Sequence, residues 1–345
     1  MRKFLYEMLE TASVSGNEIN LQKVVIKYMK SVSDKIITDH AGDVICVINP
    51  EANFKVLLAA HSDEIGLTIV EILNDGRALL KEVGSIKAGV YPGQKVRVIT
   101  DKGEVFGVVG FDQFTFKSEI TDKNLILDIG VYSKDEAEKI ITIGDSVILD
   151  SNYRELNDNI ISARALDDKI GVYSIMEVLK KSKNINKEIG VYCASTVGEE
   201  TTKAGATFVS NLVKPDCAII IDVTHDSSIM LNKGNREFTM NGKGPVLSIG
   251  TVINKEFVKK AQKAAKNKNV SLQVSTEVYR TYTDLDKIYF NESGIPSLLI
   301  SIPLRYMHSS AELVDMNDVN DIISLITEII ELLKTDRNFN PFELL

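Results

Sequence analysis

The feature that most constrains this chain is the position of its acidic and imidazole side chains. Five segments place such a group directly after a short apolar run or at the helix start that follows it. They are VLLAA before His61, SARAL before Asp167, YCASTVG before Glu199 and Glu200, AIII before Asp222, and LISIPLRYM before His308. Strand-like runs at 43–48, 54–60, 189–195, 218–221 and 297–302 alternate with helical periodicity at 18–32, 167–181, 200–212 and 316–334. That alternation predicts an α/β fold, a mostly parallel sheet covered by helices on both faces. Ligands bind such a sheet beyond the carboxyl ends of its strands. The five segments can therefore converge although they are spread along most of the chain.

Between 68 and 161 the texture changes. Short β-rich pieces are divided by turn signals at Asn74-Asp75-Gly76, Tyr91-Pro92-Gly93, Asp101-Lys102-Gly103 and Ile143-Gly144-Asp145. Apart from a short helical turn at 134–139, this spacing predicts a small β-barrel or sandwich inserted into the main domain. The expected organisation is a catalytic domain from 1–67 and 162–345, with a β-rich domain at 68–161. The first residues read as a short amphipathic helix without the cleavage site of a signal peptide. Ser15 and Glu18 have the spacing of a capping box at the start of the 18–32 helix.

Each polar group taken alone has an ordinary explanation. A histidine after a strand can cap or support, Asp167-Asp168 can cap a helix, and Glu199-Glu200 can be a solvated helix start. An acid ending the run AIII must find a partner, and five such coincidences at strand ends are too many. Two imidazoles with several carboxylates form a donor set suited to Zn²⁺, Co²⁺ or Mn²⁺. Of the four histidines, His61 and His308 carry this pattern; His225 reads as structural and His40 as an exposed turn residue. The net charge of −8 argues against nucleic acid or an anionic membrane as partner. No apolar run reaches the roughly 18 residues of a membrane span. Three scattered cysteines, Cys46, Cys193 and Cys217, predict buried free thiols and a reducing, cytoplasmic compartment.

The words AHSDEIG (60–66), ARALDDKIG (163–171), VGEETTKAGA (197–206), IDVTH (221–225) and IPLRYMHSSAELVD (302–315) together resemble the M42 family of metallo-aminopeptidases. That family belongs to the clan of co-catalytic dizinc exopeptidases. The resemblance covers essentially the whole chain in order, the β-rich insertion included. It implies two divalent ions per subunit, Zn or Co, with His61 and His308 as the terminal ligands of one ion each. It also implies Asp167 as the bridging carboxylate, Glu200 and Asp222 as one further ligand per ion, and Glu199 as general base to a water activated by both ions. Asp63 would be the acid that orients the site, and Asp168 the partner in a cis Asp–Asp peptide. The implied reaction is removal of N-terminal residues from short peptides. The implied assembly is a homo-oligomer, from dimer to dodecamer, joined through the inserted domain.

Charge and geometry agree with the split between the two glutamates. Two divalent ions against Asp167, Glu200 and Asp222 leave about one net positive charge, which favours ionising a shared water. Adjacent side chains generally point apart, so Glu199 is free to move protons if Glu200 is a ligand. A dimetal deacylase or other exopeptidase, a glycanase and a non-catalytic binding shell are the competing readings. Adjacent glutamates fit poorly with the facing carboxylates that glycoside hydrolysis needs. The chain departs from the family pattern at Thr201-Thr202-Lys203 and Ala204, where a helix-shaping role is expected. It departs again in the Phe111, Phe114 and Phe116 segment (110–124).

Overall fold

The computed structural model describes residues 2–112, 119–157, 159–184, 187–229, 239–291 and 294–342. Helices α1 (Lys3–Glu10) and α2 (Ile19–Met29) precede β1 (Lys35–Thr38), β2 (Val44–Ile48) and β3 (Phe54–His61). Next come β4 (Gly66–Ile72), β5 (Ala78–Val83), β6 (Lys95–Thr100), β7 (Gly103–Val109), β8 (Ile126–Asp128), α3 (Lys134–Ala137) and β9 (Ser146–Leu149). β10 (Arg154–Asn157), β11 (Ile160–Ala163), α4 (Leu166–Lys181), β12 (Ile189–Thr196), α5 (Ala204–Val213) and β13 (Cys217–His225) follow. The last elements are β14 (Val246–Gly250), α6 (Lys255–Lys268), β15 (Gln273–Glu277), α7 (Leu285–Ile288), β16 (Ser297–Leu304), β17 (Glu312–Asp315) and α8 (Met316–Leu332).

Eight strands make the main sheet, in the order β1-β2-β12-β3-β13-β16-β14-β15. Its centre, β12, β3, β13 and β16, is parallel. β2 joins β12 and β14 joins β16 in antiparallel pairs on either side. Every residue of β12 and β16 is buried. Successive side chains of a strand point to opposite faces, so both faces of the sheet are covered. α4 packs on β3, β12, β13 and α8, while α5 packs on β12, β3 and α7. This is the expected α/β arrangement, a parallel centre with antiparallel flanks. Cys46, Cys193 and Cys217 are buried in it and unpaired.

β4, β5, β8, β7, β6 and β9 close into a barrel. Closure removes the free edges of six short strands, and side chains such as Leu67, Val96, Val98, Leu127 and Val147 fill the interior as a separate core. The chain leaves the main sheet at His61 and enters the barrel at Gly66. It returns through β11, which pairs with β17, and reaches Asp167 directly. Both connections of the barrel therefore run past the ends of the central strands.

Three expectations need correction. Ser15 and Glu18 form no capping box: α2 has Glu18 at its N-cap with no side-chain cap, and Glu18 Oε1 instead accepts from the Gly16 amide. The Ser15 hydroxyl donates to Asp63, a buried carboxylate with greater need of donors. The helix expected over 200–212 begins only at Ala204, because the amides of Glu199 and Glu200 are held by Asp63 in a turn. β13 runs on to His225, so Asp222 lies inside a strand and not just after one.

One buried charge cluster fastens these connections together. Glu64 Oε1 accepts from the Ser13 amide and from Lys169 Nζ, both at 2.9 Å, and Glu64 Oε2 pairs with Arg164. Arg164 also donates to Leu9 O at 3.1 Å and Lys169 to Thr11 O at 2.7 Å, so two cations cap the carbonyl end of α1. Burial opposes ionisation of Glu64, but Arg164 and Lys169 outweigh it and hold the carboxyl down to about 2. Removing one partner of such a cluster strands buried charge. E64Q is expected to lower unfolding free energy by about 3–5 kcal/mol in denaturant titrations. Because the folded value is depressed, the contribution is complete above the usual 4.5 and is lost as pH falls toward about 2. The acid limb of a stability profile should therefore flatten in E64Q.

Candidate metal centre

All five expected ligands come together near the carboxyl ends of the central strands. His61 ends β3, Asp222 sits near the end of β13, and His308 follows β16 in a turn where its own φ is 64°. Asp167 precedes the regular part of α4, in non-helical conformation, and the Asp167–Asp168 peptide is cis, as the resemblance implied. Asp167 Oδ1 lies 3.1 Å from His61 Nε2, and Asp167 Oδ2 lies 3.2 Å from His308 Nε2. Glu200 Oε1 is 3.3 Å from the same His308 nitrogen. Two donor triads result: His61, Asp167 and Asp222, and Asp167, Glu200 and His308, each with ligand atoms within 4.8 Å of one another. The triads share Asp167, one oxygen facing each side.

The imidazoles are oriented from behind. His61 Nδ1 contacts Asp63 O at 3.0 Å and His308 Nδ1 contacts Ser85 O at 2.8 Å. A carbonyl only accepts, so each Nδ1 carries a proton and each Nε2 is the nitrogen turned toward the carboxylates. Ser85 belongs to the barrel side of the chain, beside Gly84. Gly84 has φ 77°, and a side chain there would reach within 2.8 Å of Ile65 and 3.3 Å of Glu200. Glycine lets the loop close on the site. Glu312 fixes two ligands at once, accepting from the Asp167 amide at 3.2 Å and the His308 amide at 2.7 Å. Asp168 Oδ1 accepts from the Gly171 amide at 3.1 Å and so caps the regular helix, leaving Asp167 free to face the imidazoles.

Asp63 is the organiser of the adjacent turn. Its carboxylate accepts from the amides of Glu199 and Glu200, both at 3.0 Å, and from Ser15. Burial works against its charge, yet the His61 contact keeps its pKa below the ordinary range. Glu199 Oε2 is 4.0 Å from His61 Nε2, and Glu199 Oε1 pairs with Lys203. Lys203, expected only to shape the helix start, thus touches the glutamate. It adopts φ 57° there and also donates to Tyr282 O at 3.0 Å.

Residue-by-residue reading missed Lys203, Ser85, Glu312 and Asp284. Asp284 is buried and accepts from Thr196 at the end of β12. Burial, then the Glu199 charge, pushes it up to about 7. Glu312 had a signal, an acid four residues after His308 within a recognisable word. Asp284 and Ser85 had none, because their roles exist only across the fold. His225 lines the same cavity, outside both triads. His40 is exposed, and Arg305 pairs with Asp226 at 2.7 Å. Tyr306 and Phe111 are exposed; Phe114 and Phe116 lie outside the described residues.

The electrostatics ask for cations. Burial raises Asp222 well above its ordinary value and, with the Asp167 charge next, raises Glu200 to about 7. Burial opposes charge on His308, but Asp167 and Glu200 outweigh it and raise the imidazole to about 11; Asp167 and Asp63 raise His61 in the same way. A crowd of buried carboxylates thus recruits protons on imidazoles, in places where divalent cations would neutralise more charge. Carboxylate and imidazole donors in two triads with one shared carboxylate fit a pair of such ions.

Comparison with known proteins agrees with this geometry. A sequence model of the family described as M42 glutamyl aminopeptidase matches residues 42–325. The chain is 32% identical to a lysyl aminopeptidase of Pyrococcus furiosus over 325 residues, covering 91% of this chain and 92% of that one. Its fold is similar to a TET aminopeptidase from a marine sediment Thaumarchaeota archaeon, with a TM-score of 0.91, 27% identity and 97% of each chain covered. It is also similar to the Pyrococcus horikoshii TET1 peptidase, described as assembling into a tetrahedron or a large octahedral shell. There the TM-score is 0.84 at 28% identity, over 95% of this chain and 98% of that one. With the family match spanning the main sheet and the barrel alike, the chain belongs to the M42 family of aminopeptidases.

Proposed function

We propose that the chain removes N-terminal residues from short peptides with two divalent ions, Zn or Co, bound at the two triads. His61 and Asp222 hold one ion, His308 and Glu200 the other, and Asp167 serves both. The observation that carries this reading is the Asp167 carboxylate, with one oxygen on each imidazole Nε2. When bound, the ions would supply Lewis acidity to a water and to the scissile carbonyl.

The protein's own groups do the rest. Glu199 takes a proton from the attacking water and passes it to the leaving amine. Its pKa is raised by burial, which brings a carboxylate nearer to the range where it can both accept and release a proton. Lys203 holds one oxygen of Glu199 and leaves the other facing His61. Asp63 keeps Glu199 and Glu200 in register through their amides, so that base and ligand diverge from one turn. The units 1–67 with 162–345 and 68–161 act as catalytic and dimerisation domains, and the chain works as a cytoplasmic homo-oligomer. The oligomeric TET1 relative, the buried free thiols and the lack of any described helix long and apolar enough to cross a membrane support this. The family description names glutamyl and the relative is called lysyl, so membership does not choose the N-terminal residue.

E199Q should keep about two metal ions per subunit by elemental analysis while kcat on aminoacyl-p-nitroanilides falls about 10²–10⁴-fold. Undiminished turnover would remove Glu199 from the base role, and turnover of N-acylated substrates alone would make the enzyme a deacylase. Since the raised imidazoles must lose protons to ligate, and the raised Asp222 and Glu200 carboxyls contribute as well, loading the apoprotein at pH 7 should release at least about two protons per subunit. Calorimetry in buffers of different ionisation enthalpy reads this directly, and metal affinity should weaken as pH falls. Loading without proton release would contradict ligation by His61 and His308.

A further inference from the structure

The five ligands and Glu199 line a cavity of about 500 Å³, and one carboxylate on its wall has no part in the chemistry so far. Glu277 is the last residue of β15. It borders the cavity and also a groove of about 740 Å³ lined by Ile249, Val258 and Val278 and by Lys255 and Lys259 of α6. It therefore faces the cavity from the sheet edge, at the end of β15, opposite the side from which the central strands bring the candidate ligands.

Every other charge on this wall is committed. Asp167, Glu200 and Asp222 belong to the proposed ions, and Lys203 is paired with Glu199. Burial, then the His308 charge, lowers the pKa of His225, so it is neutral near pH 7. Glu277 accepts from Ser275 Oγ at 3.2 Å and has no ion pair among the described residues. Burial and, beyond it, the charge of Asp286 disfavour its ionised form, and Asp286 is itself held by the Thr281 and Tyr282 amides. Partial burial of a carboxylate without a cation is unfavourable, and a substrate cation would relieve it.

We propose that Glu277 determines specificity by receiving the cationic side chain of an N-terminal lysine or arginine, so that preferred peptides begin with a basic residue. An extended basic side chain reaching across the cavity would bring its charged end to the carboxylate. The proposal rests on the aminopeptidase reading above. An anchor for the α-ammonium group would instead serve every substrate alike, which separates the two roles experimentally.

The test uses the metal-reconstituted full chain with lysyl-, norleucyl- and glutamyl-p-nitroanilides. Lysine and norleucine differ in charge while sharing the stem. The expected kcat/KM ratio of lysyl to norleucyl substrate is about tenfold, carried mainly by KM, with the glutamyl substrate poorest. In E277Q that ratio should fall to about one, and E277K should favour the glutamyl substrate over the lysyl one. A wild-type preference for glutamyl or norleucyl substrate overturns the proposal, as does an E277Q ratio equal to the wild-type ratio. Calorimetric binding of L-lysinamide and L-norleucinamide provides a second readout. If no aminoacyl substrate is cleaved, the aminopeptidase reading fails. Tighter lysinamide binding that disappears in E277Q would still uphold the role of Glu277, and equal binding of the two amides in the wild type would overturn it.

Discussion

Asp167 turns one carboxylate oxygen to His61 and the other to His308, and much of the molecule exists to keep it there. A carboxylate at that depth is costly unless cations surround it. Burial raises the pKa values of the acids around it, and the two imidazoles answer by holding protons. The arrangement is poised for positive charge and complete on the protein side. Backbone carbonyls of Asp63 and Ser85 orient the two imidazoles, and the carboxylates of Glu312 and Asp63 hold the amides of Asp167, His308 and Glu200.

The inserted barrel contributes to this centre directly. It departs after His61, its Gly84-Ser85 loop closes on Glu200 and His308, and the chain returns just before Asp167. Ser85 contacts one imidazole from the barrel side, and the Asp63 carbonyl contacts the other from the connection between β3 and the barrel. The Glu64, Arg164 and Lys169 cluster locks both connections to the carbonyl end of α1. Asp63 has a similar reach on the opposite side, since it joins Ser15 near the N-terminus to the turn that separates Glu199 from Glu200.

The candidate donors were legible because most of them stand at or just beyond the ends of apolar runs, and strand ends converge in a parallel sheet. His61, Asp167, Glu200, Asp222 and His308 all meet in the structure. The helix expected at Glu200 was not legible in the same way. Its amides had an apparent use in a helix, and only the buried Asp63 carboxylate draws them into a turn. The capping box failed for the same reason: Ser15 had a better acceptor 48 residues away. Local propensity offered one partner, and a buried charge offered a stronger one.

By itself the sequence determined the α/β rhythm, the β-rich insertion and the chemical type of the site, because apolar periodicity and donor identity are local properties. The tertiary structure alone decided that Ser85 and Glu312 hold the candidate ligands in place, that Lys203 grips Glu199, and that Glu277 has no ion pair among the described residues. Those facts depend on distances between segments far apart in the chain. Such distances are set when burial forces each charged group to choose among the partners that folding brings within reach.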